Sequence, residues 1–122
     1  MSKILLSINP EHIINIFNGT KTFEFRKVCC KKKITHIVFY CTSPVMKVVG
    51  EAEVREIIEC PPDELWTKTS GGAGITKRFF DDYYCGRSKG VAFGLENVVE
   101  FEEQKDLSDY DVSAAPQSFA YL

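Results

Sequence analysis

No stretch of the sequence approaches the ~20 consecutive apolar residues that a membrane-spanning helix requires, so no membrane partnership is expected. The first apolar run, Ile4-Leu5-Leu6-Ser7-Ile8, is cut off by Asn9-Pro10-Glu11-His12. It is too short for the core of a secretory signal and reads as a first strand. Cysteine occurs five times (29, 30, 41, 60 and 85), an odd number with no Cys-x-x-Cys spacing. That excludes a fully paired disulfide framework and points to a reducing, cytoplasmic setting. There are two histidines, His12 and His36, with no Cys or carboxylate at zinc-like spacing, and Cys29-Cys30 on a strand would face opposite ways. Neither a metal nor another cofactor is expected. A basic excess is also missing, since the formal net charge is −2, which excludes a uniformly basic nucleic-acid binder. Gly71-Gly72-Ala73-Gly74-Ile75-Thr76-Lys77 lacks the Gly-Lys-Ser/Thr of a phosphate loop and reads as a flexible loop, placed to act as a lid. Internal repeats, linkers and low-complexity tracts are absent, and 122 residues fit one domain spanning 1–122.

What is present is the composition of a globular core: 44% apolar residues and 26% charged, with nine Phe, five Tyr and one Trp. Charge is uneven along the chain. Residues 1–61 carry 9 Lys+Arg against 6 Asp+Glu, while residues 62–122 carry 6 against 11, so a phosphate-facing surface is expected from the first half. Lys3 to Ile8 reads as a strand. Asn9 with Pro10 starts a helix carrying Ile13, Ile14, Ile16 and Phe17, which Asn18-Gly19 ends in the left-handed region. Thr20 to Val28, Ile34 to Cys41, Met46 to Cys60 and Lys89 to Glu103 read as further strands. Pro61 to Trp66 starts a second helix. Thr76 caps a third, whose Phe79, Phe80, Tyr83 and Tyr84 read as core. The tail from Asp106 is irregular but closes on Phe119-Ala120-Tyr121, too aromatic for a loose end. The order predicts an α+β fold: a curled sheet or barrel with helices at its ends.

The segment Gly19-Thr20-Lys21-Thr22-Phe23-Glu24-Phe25-Arg26 carries the most chemistry. On a strand, Phe23 and Phe25 face the core while Thr22, Glu24 and Arg26 face the other way. Solvated charges on an edge strand are the ordinary reading of such a pattern. However, Glu24 and Arg26 share a face, and Lys21 enters just after a helix terminus, so three charges can converge over one cleft. There a carboxylate acceptor and a forked donor hold each other in place.

Leu6-Ser7-Ile8-x-Pro10 followed by Gly19-x-Lys21-x-x-Glu24-x-Arg26 resembles the signature of ASCH domains in the PUA-like superfamily. Tyr40-x-Thr42-Ser43-Pro44, Gly50-Glu51-Ala52 and Pro116-Gln117-Ser118-Phe119-x-Tyr121 are similar to small prokaryotic and phage members, so the likeness spans nearly the whole chain. The resemblance implies a PUA-like β-barrel of about five to six strands with two to three short helices at its ends. It also implies a cleft between barrel and first helix that takes RNA or a nucleoside or nucleotide. Lys21 and Arg26 would meet phosphate or base acceptors there, and Glu24 would accept from a base amino or imino group. Ser7, Asn9, Tyr40, Thr42 and Ser43 are further candidates by motif position. The alternative is a small hydrolase acting on a nucleoside or RNA, with Lys21 and Glu24 catalytic. The superfamily includes an amidohydrolase that deacylates acetylated cytidine, and some members are proposed to be metal-dependent ribonucleases. That amidohydrolase has Lys-x-x-Thr where this chain has Lys21-x-x-Glu24, so its hydroxyl nucleophile is missing here. Lys31-Lys32-Lys33 reads as a solvated turn.

Overall fold

A computed structural model describes residues 2–122. Six strands, β1 (Lys3–Ile8), β2 (Phe23–Arg26), β3 (His36–Cys41), β4 (Lys47–Cys60), β5 (Gly90–Lys105) and β6 (Phe119–Tyr121), form one sheet ordered β2-β5-β4-β3-β1-β6. Three α-helices punctuate it: α1 (Pro10–Phe17), α2 (Pro62–Thr69) and α3 (Lys77–Tyr83). The expected order of strands and helices is the one found. The β1–β3 pair is parallel, because α1 and β2 intervene between them; every other pair is antiparallel. Strands β4 and β5, joined through α2 and α3, form a long antiparallel ladder whose register shifts three times, and such shifts bend a ladder and let the sheet curl.

Strand periodicity divides the apolar residues between two faces. Ile4, Leu6 and Ile8 of β1 and Ile37, Phe39 and Cys41 of β3 meet Ile13 and Ile16 of α1 on the concave side. Leu5, Val38, Tyr40 and Val48 point to the convex side, where the tail brings Leu107, Tyr110 and Val112 over them. A third cluster joins Phe23 and Phe25 of β2 to Leu65 of α2 and to Phe80 and Tyr84 around α3. Phe80 is its centre, with its ring 5.3 Å from Phe25, 5.0 Å from Trp66 and 4.8 Å from Tyr84.

Helix termini follow the expected residues with one exception. Thr76 accepts from the Phe79 amide, and Gly19 takes φ +86° after Asn18. Asn9 stands at the start of α1 but does not cap it through its side chain; its Oδ1 accepts instead from the Thr42 hydroxyl at 3.3 Å. Phe80→Ala empties the centre of the α2–α3 cluster and should lower unfolding free energy by about 3–5 kcal/mol. Urea denaturation of the variant against the parent measures it.

Candidate functional site

The sheet ends on β2 at one side and β6 at the other, and its curl brings these margins together. The seam between them is closed by side chains rather than a ladder: the Tyr121 hydroxyl of β6 accepts from the Lys31 and Lys32 amides at 2.9 and 3.1 Å, and Arg26 spans the gap beside it. Arg26, the last residue of β2, donates from Nη2 to the Ser7 carbonyl of β1 at 2.8 Å and from Nη1 to the Ser118 carbonyl beside β6 at 3.4 Å. The reason lies in strand length: β6 pairs only with Ile4, Leu5 and Leu6, so the Ser7 carbonyl lies beyond its reach. The same guanidinium grips Glu24, with Nε 3.1 Å and Nη2 2.8 Å from Oε2. Two charge-assisted donors converging on one carboxylate oxygen fix the guanidinium's orientation as well as pairing its charge.

Beside this seam lies a cavity of about 270 Å³. Strand β1 and its end supply Ser7, Ile8 and Asn9; α1 supplies His12; the β2 segment supplies Lys21, Glu24, Phe25 and Arg26. Ile75 of the glycine-rich loop and Phe79 and Tyr83 of α3 complete the wall. Lys21 and Glu24 are only 2% and 5% exposed, so they are not the solvated charges of an ordinary edge strand. Both faces of β2 are covered because α1 and the 70–76 loop fold over the side that strand alternation left open.

That loop is a packed wall rather than a loose lid. The Thr22 amide donates to the Gly72 carbonyl at 2.8 Å, and Asn15 Nδ2 donates to the Gly74 carbonyl at 3.3 Å. A Cβ at Gly72 would lie 2.1 Å from Thr22 Oγ1, and one at Gly74 would lie 2.3 Å from Lys21 Cβ. Glycine is what permits this approach. In return the Ala73 carbonyl accepts from Lys21 Nζ at 2.9 Å. The ammonium also stands 4.7 Å from the centre of the Phe25 ring and 3.9 Å from Glu24 Oε1. Oε1 accepts no hydrogen bond among the described residues and faces the Lys21 ammonium alone among their ion pairs.

Five of the eight residues expected from the sequence converge here: Ser7, Asn9, Lys21, Glu24 and Arg26. Tyr40, Thr42 and Ser43 do not line the cavity. Tyr40 falls on the convex face with Leu5, Val38 and Val48, because alternation along β3 turns it away from the concave side. Thr42 and Ser43 follow β3 in the turn, where Thr42 holds the Asn9 amide. Ser7 contributes a carbonyl to Arg26, while its hydroxyl donates to the Pro116 carbonyl at 2.8 Å. Among the described residues no group of three or more His, Cys, Asp or Glu is placed to hold a metal ion. None of the helices among them is long and apolar enough to cross a membrane.

No protein-family model matches the chain. Over 94 residues, 76% of its length, it is 31% identical to an ASCH domain-containing ribonuclease of Zymomonas mobilis, covering 64% of that protein. The crystal structure of ASCH from Zymomonas mobilis superposes on it with a TM-score of 0.88 at 27% identity, covering 98% of this chain and 87% of that one.

The chain belongs to the ASCH domain family.

Its α+β, PUA-like barrel is therefore the fold that the motifs implied. This ASCH domain is also 31% identical over 120 residues to part of the large ribosomal subunit protein uL22 of Ureaplasma parvum. It spans 98% of its own length there but only 39% of the ribosomal protein.

His12, which its spacing rules out as a zinc ligand, also lines the cavity. Its signal was its place in the first turn of a helix that begins beside the cleft. The imidazole edge packs against the Phe79 ring at 5.4 Å, and Nδ1 is buried without a hydrogen-bond partner. Burial, and then the Lys21 ammonium, push its pKa below the usual 6.5. Burial likewise lowers Lys21 from its usual 10.5, against the opposing pull of Glu24.

Two outcomes follow from these contacts. Removing Arg26 strands Glu24 in a buried site and opens the seam, whereas removing Lys21 leaves Glu24 paired. Arg26→Met should therefore lose about 3–5 kcal/mol and more than Lys21→Met does, as read from paired denaturation curves. The folded pKa of His12 lies below its unfolded value, so between the two the unfolded chain takes up the proton. The His12 contribution to stability is complete above pH 6.5 and is lost as pH falls from 6.5 toward the depressed folded value. A His12→Gln variant should show a flatter fall in Tm across that range than the parent.

Proposed function

We propose that this ASCH domain binds single-stranded RNA by taking one unstacked base into the seam cavity. The observation that carries the reading is the Lys21–Glu24–Arg26 constellation opening onto an apolar wall, with Glu24 Oε1 accepting no hydrogen bond among the described residues and His12 Nδ1 buried without a partner. Glu24 is fixed by Arg26 and accepts from a base amino or imino group, as carboxylates do. Lys21 and His12 address the other polar edge, and Phe25, Ile75 and Phe79 cover the base faces. About 270 Å³ is near the lower bound of small-ligand pockets, roughly 300 Å³, and suits a nucleobase better than a helical duplex. The name of the Zymomonas mobilis relative, a ribonuclease, supports RNA as the ligand class.

That same relative favours a second reading, in which bound RNA is cut. An imidazole held neutral beside a buried ammonium suits general-base work on a 2′-hydroxyl. Deacylation of a nucleoside has less support, because Glu24 stands where an activated hydroxyl would be required.

Short RNAs and nucleosides that bind the folded chain should raise its Tm in a concentration-dependent way. Lys21→Met and Glu24→Gln should each weaken that binding by about 5- to 150-fold, the range for loss of a well-formed base contact of about 1–3 kcal/mol. Absence of any thermal shift across RNA oligomers of all four bases overturns the proposal. Gel analysis of the same incubations separates the two readings. Shortened RNA that disappears with His12→Gln assigns cleavage, and intact RNA after long incubation assigns binding alone.

A further inference from the structure

The seam cavity is poorly equipped to hold phosphate, although its charged residues first invite that role. Three of the Arg26 N–H groups point at Glu24 and the Ser7 carbonyl, and a fourth approaches the Ser118 carbonyl. Lys21 is almost wholly enclosed and already donates to Ala73. A ligand with a phosphodiester backbone therefore needs its cations elsewhere, within a nucleotide or two of the base.

Such cations lie in a second, shallower cavity of about 560 Å³ lined by Lys27, Val28, Cys29, Glu59, Gly86, Arg87, Ser88 and Lys89. It adjoins the first through a shared wall. Tyr83 lines the seam cavity, and Lys27, the residue after Arg26, places its Nζ 4.7 Å from the centre of the Tyr83 ring. Lys27, Arg87 and Lys89 face a single carboxylate, Glu59, giving a local excess of +2 on a chain whose net charge is −2. Among the described residues none of these three cations is in an ion pair, whereas Lys3, Lys47, Arg55 and Lys77 each have a carboxylate partner. Cys29 adds no negative charge at neutral pH, because burial pushes its thiol up to about 11. The Ser88 hydroxyl adds a neutral donor.

We infer that the second cavity is a backbone subsite, where Lys27, Arg87 and Lys89 hold phosphates flanking the base bound in the seam. The inference rests on the proposed RNA binding and narrows its ligand from a nucleoside to a single-stranded oligonucleotide. It also divides recognition between the two cavities. The seam reads a base with groups already fixed by the fold, and the neighbouring patch binds backbone charge without regard to sequence.

The test compares nucleosides, which reach only the seam, with RNA hexamers of the same base that are checked to be intact after titration. It uses the parent chain and an Arg87→Glu/Lys89→Glu variant; both positions are exposed, and an unchanged Tm verifies folding. The parent should bind a hexamer at least about tenfold more tightly than the nucleoside. The double variant should lose that excess and keep the parent's nucleoside affinity. The slope of log affinity against log salt should fall by roughly 1.4, the value for two phosphate contacts on a single strand at about 0.7 each. Hexamer affinity and salt slope that are unchanged in the variant overturn the backbone subsite while leaving seam binding intact. A parent chain that binds neither nucleosides nor hexamers overturns both.

Discussion

The pairing of Glu24 with Arg26 is the interaction on which the architecture and the cleft both depend. A six-stranded sheet with free margins at β2 and β6 has no backbone ladder to close it. Arg26 supplies the closure by reaching carbonyls of Ser7 and Ser118 across the gap, and Glu24 fixes the guanidinium in the plane that makes both contacts. Each partner needs the other. A carboxylate this deeply enclosed is tolerated only with a hydrogen-bonded counter-charge. An arginine at a strand end holds one rotamer only if its fork is anchored. The lysine enters as a third charge against a pair that is already satisfied.

That asymmetry explains why charges of one motif take different roles. Arg26 is engaged on nearly all sides and behaves as part of the frame. Lys21 carries a desolvation penalty, visible in its lowered pKa, that the Ala73 carbonyl, the Phe25 ring and Glu24 only partly offset. Groups held in this way keep little rotamer freedom, which is the kind of pre-organisation by which binding sites in general reduce the entropic cost of association. The glycine-rich loop belongs to the same arrangement. Its backbone, not its side chains, meets Lys21, which requires residues without Cβ at the points of approach.

Much of the fold is legible in the sequence because local periodicities agree with the tertiary structure. Proline and glycine bound α1, alternation marks β2, and Thr76 caps α3 where it should. What fails to be legible has identifiable causes. Strand β3 is apolar on both faces, so the sequence His36-Ile37-Val38-Phe39-Tyr40-Cys41 bears no mark of which residues face the cleft, and Tyr40 is misassigned by motif proximity. The burial of Glu24 depends on α1 and a loop some 50 residues away, which no pattern within β2 encodes. His12 and Ile75 enter the cleft by tertiary packing alone. The Arg87 and Lys89 pair lies in the acidic half of the chain, where bulk charge conceals a local excess.

A barrel closed by side chains differs from one closed by a ladder in how it opens. Stability in a fold is uneven, and the segments that open most readily are those secured by the fewest interactions. Here the four residues of β2 are paired along one side to β5, while across the other side only side chains reach the far margin: the Arg26 guanidinium and, just beyond β2, the Tyr121 hydroxyl that accepts from the Lys31 and Lys32 amides. Releasing these side-chain contacts parts the seam without breaking a backbone pair. The motion that parts these margins is thus also one that widens the mouth of the cleft, so the give of the barrel wall and the size of the opening are coupled.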